Sequence, residues 1–318
     1  MISKTSSKQW LIIAMLLLGL MSIESLAIHY GYALENPGTA DFFARWYGAK
    51  ELVLHGRNPY HHDIELEAQE ILFGRHTRSD EDQVNFAYPL YTIFIFLPLT
   101  LLSYAWAQAI WMTVLQFAML GSALVLFDVI RWHPPIWLRI STLLWTIVFY
   151  SGTRAIMLGQ FSVIVALCVF ISIWGIMHGK DYLAGAILPL ATIKPQMVFL
   201  LIPFFILWTF RQKRWNFLIS FTVSTAVLMI ASLIWLPDWL FSFLGNLSAY
   251  SGYVGFGSPL ENMTAYFFPT IDVFLNQSCH SLLELIFDIQ TLGTSSMAHC
   301  QYSDIQLNRF MDTFPNNH

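Results

Sequence analysis

From Phe86 onward the chain is a series of apolar runs, at roughly 88–103, 105–130, 136–151, 156–178, 182–193, 196–210 and 216–237, separated by short polar connectors. A hydrocarbon layer about 30 Å thick takes roughly 20 apolar residues of helix to cross, and every backbone polar group inside it must be bonded within the protein. Runs of this kind constrain the chain to helices that enter the bilayer repeatedly. Charge content agrees, with 11% of residues charged and 56% hydrophobic, and a mean hydropathy of +0.55. A soluble domain carries about a quarter charged residues. The expected fold class is all-α, a polytopic transmembrane helical bundle of about seven to eight membrane helices, with amphipathic juxtamembrane helices in its first loop. The net charge of -4 is spread thinly and excludes a nucleic-acid partner.

Ahead of these runs, an apolar stretch reaches Ile28 with Ser22, Glu24 and Ser25 as its interruptions. Lys4 and Lys8 precede it, and the small residues of Ser25-Leu26-Ala27 give it the look of a signal peptide. Its length favours a retained first transmembrane helix over residues 1–29, with the amino end in the cytoplasm. Residues 30–85 are polar and hold ten of the twenty acidic residues, which favours the non-cytoplasmic side. Within this loop, Asp41 to Leu54 has helical spacing, with Phe42, Trp46, Ala49 and Val53 on one stripe, and predicts a helix lying along the membrane surface. Asp63 to Phe73 predicts a second helix, followed by a charged loop over 74–83. The bundle itself spans 86–237, and residues 238–318 read as an interfacial loop and a polar tail.

Several runs are short for a straight crossing, and Pro98, Pro189 and Pro203 sit inside three of them. Broken helices of this kind line cavities rather than face lipid. The densest basic cluster, Arg211-Gln-Lys-Arg214, is placed in the cytoplasm by its charge. Counting back two crossings puts 178–181 inside, and puts both Gly159-Gln160 and Lys194-Pro195 outside. If every earlier run also crossed, the acidic loop would be inside, against its charge. Either one run between 88 and 151 does not cross fully, or the run boundaries there fuse two elements.

Ionisable residues at a membrane edge are costly, so each calls for a functional reading. Asp41, Arg154 with Gly159-Gln160, Lys194-Pro195, and Phe86-Ala-Tyr88-Pro89 qualify. An ammonium at a broken helix end, on the face that carries Gln160, would attract an anion such as a phosphate. The bland alternative is a lysine reaching for the headgroups. For Asp41 it is an ordinary loop carboxylate. His55, His61 and His62 lack the i,i+4 helical pairing with a carboxylate that would make a metal site, so no metal and no cofactor is expected. Cys168, Cys279 and Cys300 form no disulfide framework.

These pieces are ordered as Asp41-Phe with Tyr47, Gly56-x-x-Pro59-Tyr60, Phe86-x-Tyr88-Pro89 leading into Leu97-Pro98-Leu99, Gly159-Gln160, Lys194-Pro195 and the basic stop at Arg211 to Arg214. From about Gly38 to Trp215 the chain thereby resembles the GT-C glycosyltransferases, specifically family 87, the polyprenyl-phosphate-mannose-dependent alpha-mannosyltransferases. The resemblance implies an inverting hexosyltransferase in a prokaryotic plasma membrane with an extracytoplasmic active site. Its partners would be a polyprenyl-phosphate-sugar donor and a glycan or glycolipid acceptor. It also implies Asp41 as general base, Lys194 as the cation on the leaving phosphate with Arg154 second, and Gln160 as a hydrogen-bonding group for sugar or phosphate. Tyr47, Tyr60 and Tyr88 are implied as stacking or lipid-edge contacts.

Two departures stand out. The family's second proline after the tyrosine is Leu90 here, and the further spans expected after Trp239 are replaced by a largely polar stretch, as in a shortened member. The competing readings are an inactive or truncated relative in envelope assembly, and a small-solute transporter, which would carry inverted repeats.

Overall fold

The computed structural model describes residues 7–36, 40–78, 81 and 83–253. The part of the expected polar tail from 254 onward lies outside the described residues. All regular structure among the described residues is helical. In chain order the helices are α1 (Ser7–Ile28), α2 (Ala40–His55), α3 (His62–Phe73), α4 (Ile93–Phe96), α5 (Tyr104–Val129), α6 (Ile136–Val148), α7 (Tyr150–Met157), α8 (Ser162–Met177), α9 (Asp181–Ile187), α10 (Pro195–Val198), α11 (Leu201–Arg211), α12 (Trp215–Trp235) and α13 (Trp239–Tyr253).

Three stretches are long and apolar enough to cross a membrane: Leu11–Ala33, Tyr104–Val129 and Trp215–Trp235. The pair α7 and α8, bent by 113°, makes a fourth if counted as one broken span. The remaining apolar runs form shorter helices, Leu90–Leu101, Ile136–Val148, Asp181–Ile193 and Leu201–Arg211. At about 1.5–2.0 Å of rise per residue none of these reaches the roughly 30 Å of a straight crossing. Two of them, Leu90–Leu101 and Ile136–Val148, fall in the interval where the charge count conflicts with a full crossing of every run. The long helices are apolar on all sides, and α1 exposes Leu11, Leu16, Leu18 and Ile23, surface that a bilayer covers.

The long helix α5 is central. It packs against α1, where Ser25 Oγ donates to Thr113 Oγ1 at 3.0 Å, and against α8. On α8, Ser172 donates to the Ala184 carbonyl of α9 at 3.0 Å, and on α12, Ser224 donates to the Ala186 carbonyl at 2.8 Å. Small residues allow this approach. A Cβ added at Gly185 would lie 2.3 Å from the Phe217 carbonyl oxygen.

The helix α2 lies deeper than the surface helix expected for it. Phe42, Phe43, Ala44, Trp46, Ala49 and Leu52 are all buried, and Trp46 Nε1 donates to the Leu99 carbonyl at 3.0 Å. The apolar stripe read from sequence is thus only part of a wider buried face, because the broken segment Leu90–Leu101 packs against it. The helix ends in an αL motif: Gly56 takes the left-handed conformation (φ 67°) and its N–H reaches the Leu52 carbonyl, while the Arg57 N–H reaches that of Glu51. Asn58 then turns the chain by accepting from the Tyr60 N–H, and the buried Tyr60 hydroxyl donates to the Tyr88 carbonyl at 2.7 Å. Arg57 fastens α2 to α3 by bonding Glu51, Asp63 and Glu67.

The stretch after Pro237 continues the packed unit as α13. Trp239 and Phe243, one helical turn apart, are buried against Tyr91 and Tyr60, and Asn58 donates to Ser242 at 3.1 Å. The expected interfacial loop is thus a packed helix over its first described residues.

Candidate functional site

Three breaks in the helices deliver the polar groups of one cavity. The first is the start of α2, which carries Asp41 in its first turn, where a carboxylate is favoured by the helix dipole. The second is the bend between α7 and α8. There Gly159 adopts φ 68°, its N–H bonds the Ile156 carbonyl and the Gln160 N–H bonds that of Ala155, a Schellman motif. The turn leaves the Gln160 side chain free of the helix. The third is Lys194, held out of the helical region (φ -114°, ψ 85°) by the proline that follows it. Pro195 then opens α10 at a position where no N–H is needed.

The three side chains meet. Gln160 Nε2 donates to Asp41 Oδ2, and Lys194 Nζ donates to Gln160 Oε1 at 2.5 Å. Arg45, one turn beyond Asp41, donates from Nη1 to Asp41 Oδ1 at 3.2 Å and to the Asp41 carbonyl. Its guanidinium carbon lies 4.5 Å from the Tyr88 ring centroid, and Lys194 Nζ lies 5.9 Å from the same centroid. Together with Ala87, Ile193, Pro195, Gln196 and Phe243 these residues line a cavity of about 420 Å³. Among the described residues of that lining Asp41 is the one carboxylate, facing two cations.

An aromatic cluster fixes the floor. Phe42, next to Asp41, stacks on Trp111 at 5.6 Å, and Phe161, next to Gln160, packs on Trp111 at 4.8 Å and on Tyr88 at 5.3 Å. Trp111 Nε1 donates to the Gly159 carbonyl at 3.0 Å. Asp41 and Gln160 are therefore each anchored through a buried neighbour, the kind of support a preorganised site requires.

Of the residues singled out in the sequence, Asp41, Gln160, Lys194 and Tyr88 share this cavity, whereas Tyr47, Tyr60 and Arg154 lie outside its lining. Tyr47 donates to Glu67 at 2.9 Å, and burial, then that bond, push its phenol above the ordinary value. Tyr60 holds the Tyr88 backbone. Arg154 is exposed on α7 and donates to the Tyr150 hydroxyl at 3.0 Å. His55 does have a carboxylate partner four residues away, Glu51 at 3.0 Å, contrary to the sequence reading. Among the described residues no group of three His, Cys, Asp or Glu gathers that could hold a metal. Arg45, Gln196 and Phe243 were not singled out. Arg45 alone had a signal, its i,i+4 relation to Asp41.

The sequence profile of glycosyltransferase family 87 matches residues 86–298. The match takes in Tyr88, Gln160 and Lys194, and Asp41 and Arg45 precede it. No curated protein and no solved structure matches the chain. With more than half of its length matched and with helices apolar enough to cross a bilayer, the chain belongs to glycosyltransferase family 87 and is an integral membrane glycosyltransferase.

Proposed function

We propose that the protein transfers a hexose, mannose in the first instance, from a polyprenyl-phosphate donor to a glycan or glycolipid acceptor at the extracytoplasmic face. The observation that carries this reading is the continuous chain from the Asp41 carboxylate through the Gln160 amide to the Lys194 ammonium. A base and a phosphate-binding cation on either side of one small cavity are what a single displacement at an anomeric carbon needs. Asp41 takes the proton of the acceptor hydroxyl as its oxygen bonds to the anomeric carbon. The bond from that carbon to the phosphate oxygen breaks, and the electron pair leaves with the lipid phosphate, whose growing charge Lys194 meets. Gln160 holds base and cation in register, and Tyr88 presents its ring to the sugar.

That Asp41 is the one carboxylate among the described residues of the lining supports inversion, because a double displacement calls on a second group as nucleophile. Sidedness is supported by charge. Arg214 pairs with Asp181 at 2.9 Å, so the connectors at 178–181 and 211–214 adjoin, and the segment 181–193 leads from that basic end to Lys194. The basic cluster favours the cytoplasm for that end, and Lys194 lies at the opposite end of the segment, which supports a cavity turned away from the cytoplasm.

The test is to incubate the purified protein with labelled polyprenyl-phosphate-mannose and a membrane glycolipid extract. A labelled glycoside is expected. If neither this donor nor its glucose counterpart yields one, while the protein remains folded, the donor reading is wrong.

A further inference from the structure

Arg45 has no part in the scheme above, yet it is bound to the base itself. Its side chain is 12% exposed, its Nε has no hydrogen-bond partner among the described residues, and its guanidinium shares the Tyr88 ring with Lys194. Among the described residues of the lining charge is unequal, one carboxylate against two cations, a formal balance of +1. A phosphodiester donor carries one negative charge and neutralises it. The reaction changes both sides together. Protonation of Asp41 by the acceptor hydroxyl raises the lining to +2, and cleavage turns the phosphodiester into a phosphomonoester whose charge at pH 7 is about -1.5 to -2.

We infer that Arg45 is a second phosphate-binding cation that works in sequence with the base. In the resting site its charge is committed to the Asp41 carboxylate. As that carboxylate takes the proton, the guanidinium is released to the departing phosphate, so that two cations rather than one meet the product charge. A guanidinium suits this task, since it stacks on the Tyr88 ring while offering several N–H donors to phosphate oxygens. The inference rests on the donor reading and adds the coupling between proton uptake and phosphate binding.

The experiment measures binding of a short-chain polyprenyl monophosphate, in detergent, to four proteins: the wild type, Asp41→Asn, Arg45→Gln and the double variant. Asparagine stands in for the protonated base, so Asp41→Asn is expected to bind the monophosphate roughly tenfold tighter than the wild type, the size of one charge-assisted hydrogen bond gained. That gain should vanish in Asp41→Asn/Arg45→Gln, and Arg45→Lys should retain part of it. A merely structural Arg45 would weaken binding without regard to residue 41. Equal affinity of Asp41→Asn and wild type overturns the inference whether or not the Arg45 variants fold, and so does a gain that survives loss of Arg45. If Lys194→Ala binds the monophosphate as well as the wild type does, the donor reading falls and this inference with it. A loss with Lys194→Ala but no coupling between residues 41 and 45 overturns the role of Arg45 alone.

Discussion

The Gln160 amide donates to the Asp41 carboxylate across 119 positions of chain, and its own oxygen accepts from Lys194. One neutral side chain thus ties an acid to a base through both ends of its amide. Neither charge is left against the bare apolar wall of the cavity, where an unpaired ion would be costly. In the proposed scheme substrate replaces these bonds in kind, with acceptor hydroxyl on Asp41 and donor phosphate on Lys194.

Asp41→Asn preserves the size of the side chain and a hydrogen bond to Gln160 while removing the base. Transfer is expected to fall by about 10²–10⁴-fold. The thermal midpoint should fall modestly while the protein stays folded, because the helix-dipole contact, worth about 0.3–1 kcal/mol, is lost together with the ionic half of the pair with Arg45. Turnover and unfolding measured on the same preparation check both halves.

Lys194→Ala removes a cation from the donor side only. Its kcat/KM for the lipid donor should drop by about 10²–10³-fold, the usual cost of losing one group aimed at developing charge. The KM for the acceptor should stay near that of the wild type. Lys194→Arg should recover part of the loss, and a steady-state matrix of donor and acceptor concentrations separates these effects.

Gly159→Ala tests the bend that presents Gln160. The residue has φ 68°, and an added Cβ would lie 2.6 Å from Phe42 Cβ. Strain and overpacking together should lower stability by about 2–4 kcal/mol. Activity should fall further than global unfolding explains, since Phe42 carries the start of α2. Thermal unfolding and turnover below the midpoint distinguish the two contributions.

The pH behaviour of the α2–α3 junction follows from Arg57. Its hydrogen bonds hold Glu67 and Asp63 below their ordinary values of 4.5 and 3.8. The folded carboxyls therefore bind protons less readily than the unfolded ones. The stabilisation is complete above about pH 4.5 and is lost as pH falls through the depressed folded values. These groups are substantially exposed, so solvent screening limits the contribution to about 1 kcal/mol. Arg57→Ala should speed amide exchange in α3 by roughly fivefold at neutral pH, and the difference from wild type should vanish in acid. Exchange followed against pH is the check.

The individual parts of the site were legible because each rests on local chemistry. A residue before proline leaves the helix, so the break at Lys194 could be read directly from the chain. Gly159 ends a helix and frees the next side chain, and a carboxylate in a first turn is favoured by the dipole. Arg154 shows the limit of such reasoning. It is a cation five residues before Gly159 and the second candidate after Lys194 for the phosphate, yet the turn of α7 sends it outward to Tyr150. Arg45 was passed over although it lies within the same short motif as Asp41.

Membership of the bilayer, the helical class and the long spans follow from hydrophobic runs alone, since hydrocarbon thickness and backbone hydrogen bonding leave a chain of this composition no other solution. The number of complete crossings does not, because runs such as Leu90–Leu101 are as apolar as a span but break and pack against α2. The company Asp41 keeps was likewise out of reach. Periodicity assigns a side chain to a face of its own helix, but the angle at which helices meet assigns that face to a cavity or to lipid. The 113° bend at Gly159 and the depth of α2 bring Asp41, Gln160 and Lys194 into contact from three distant parts of the chain.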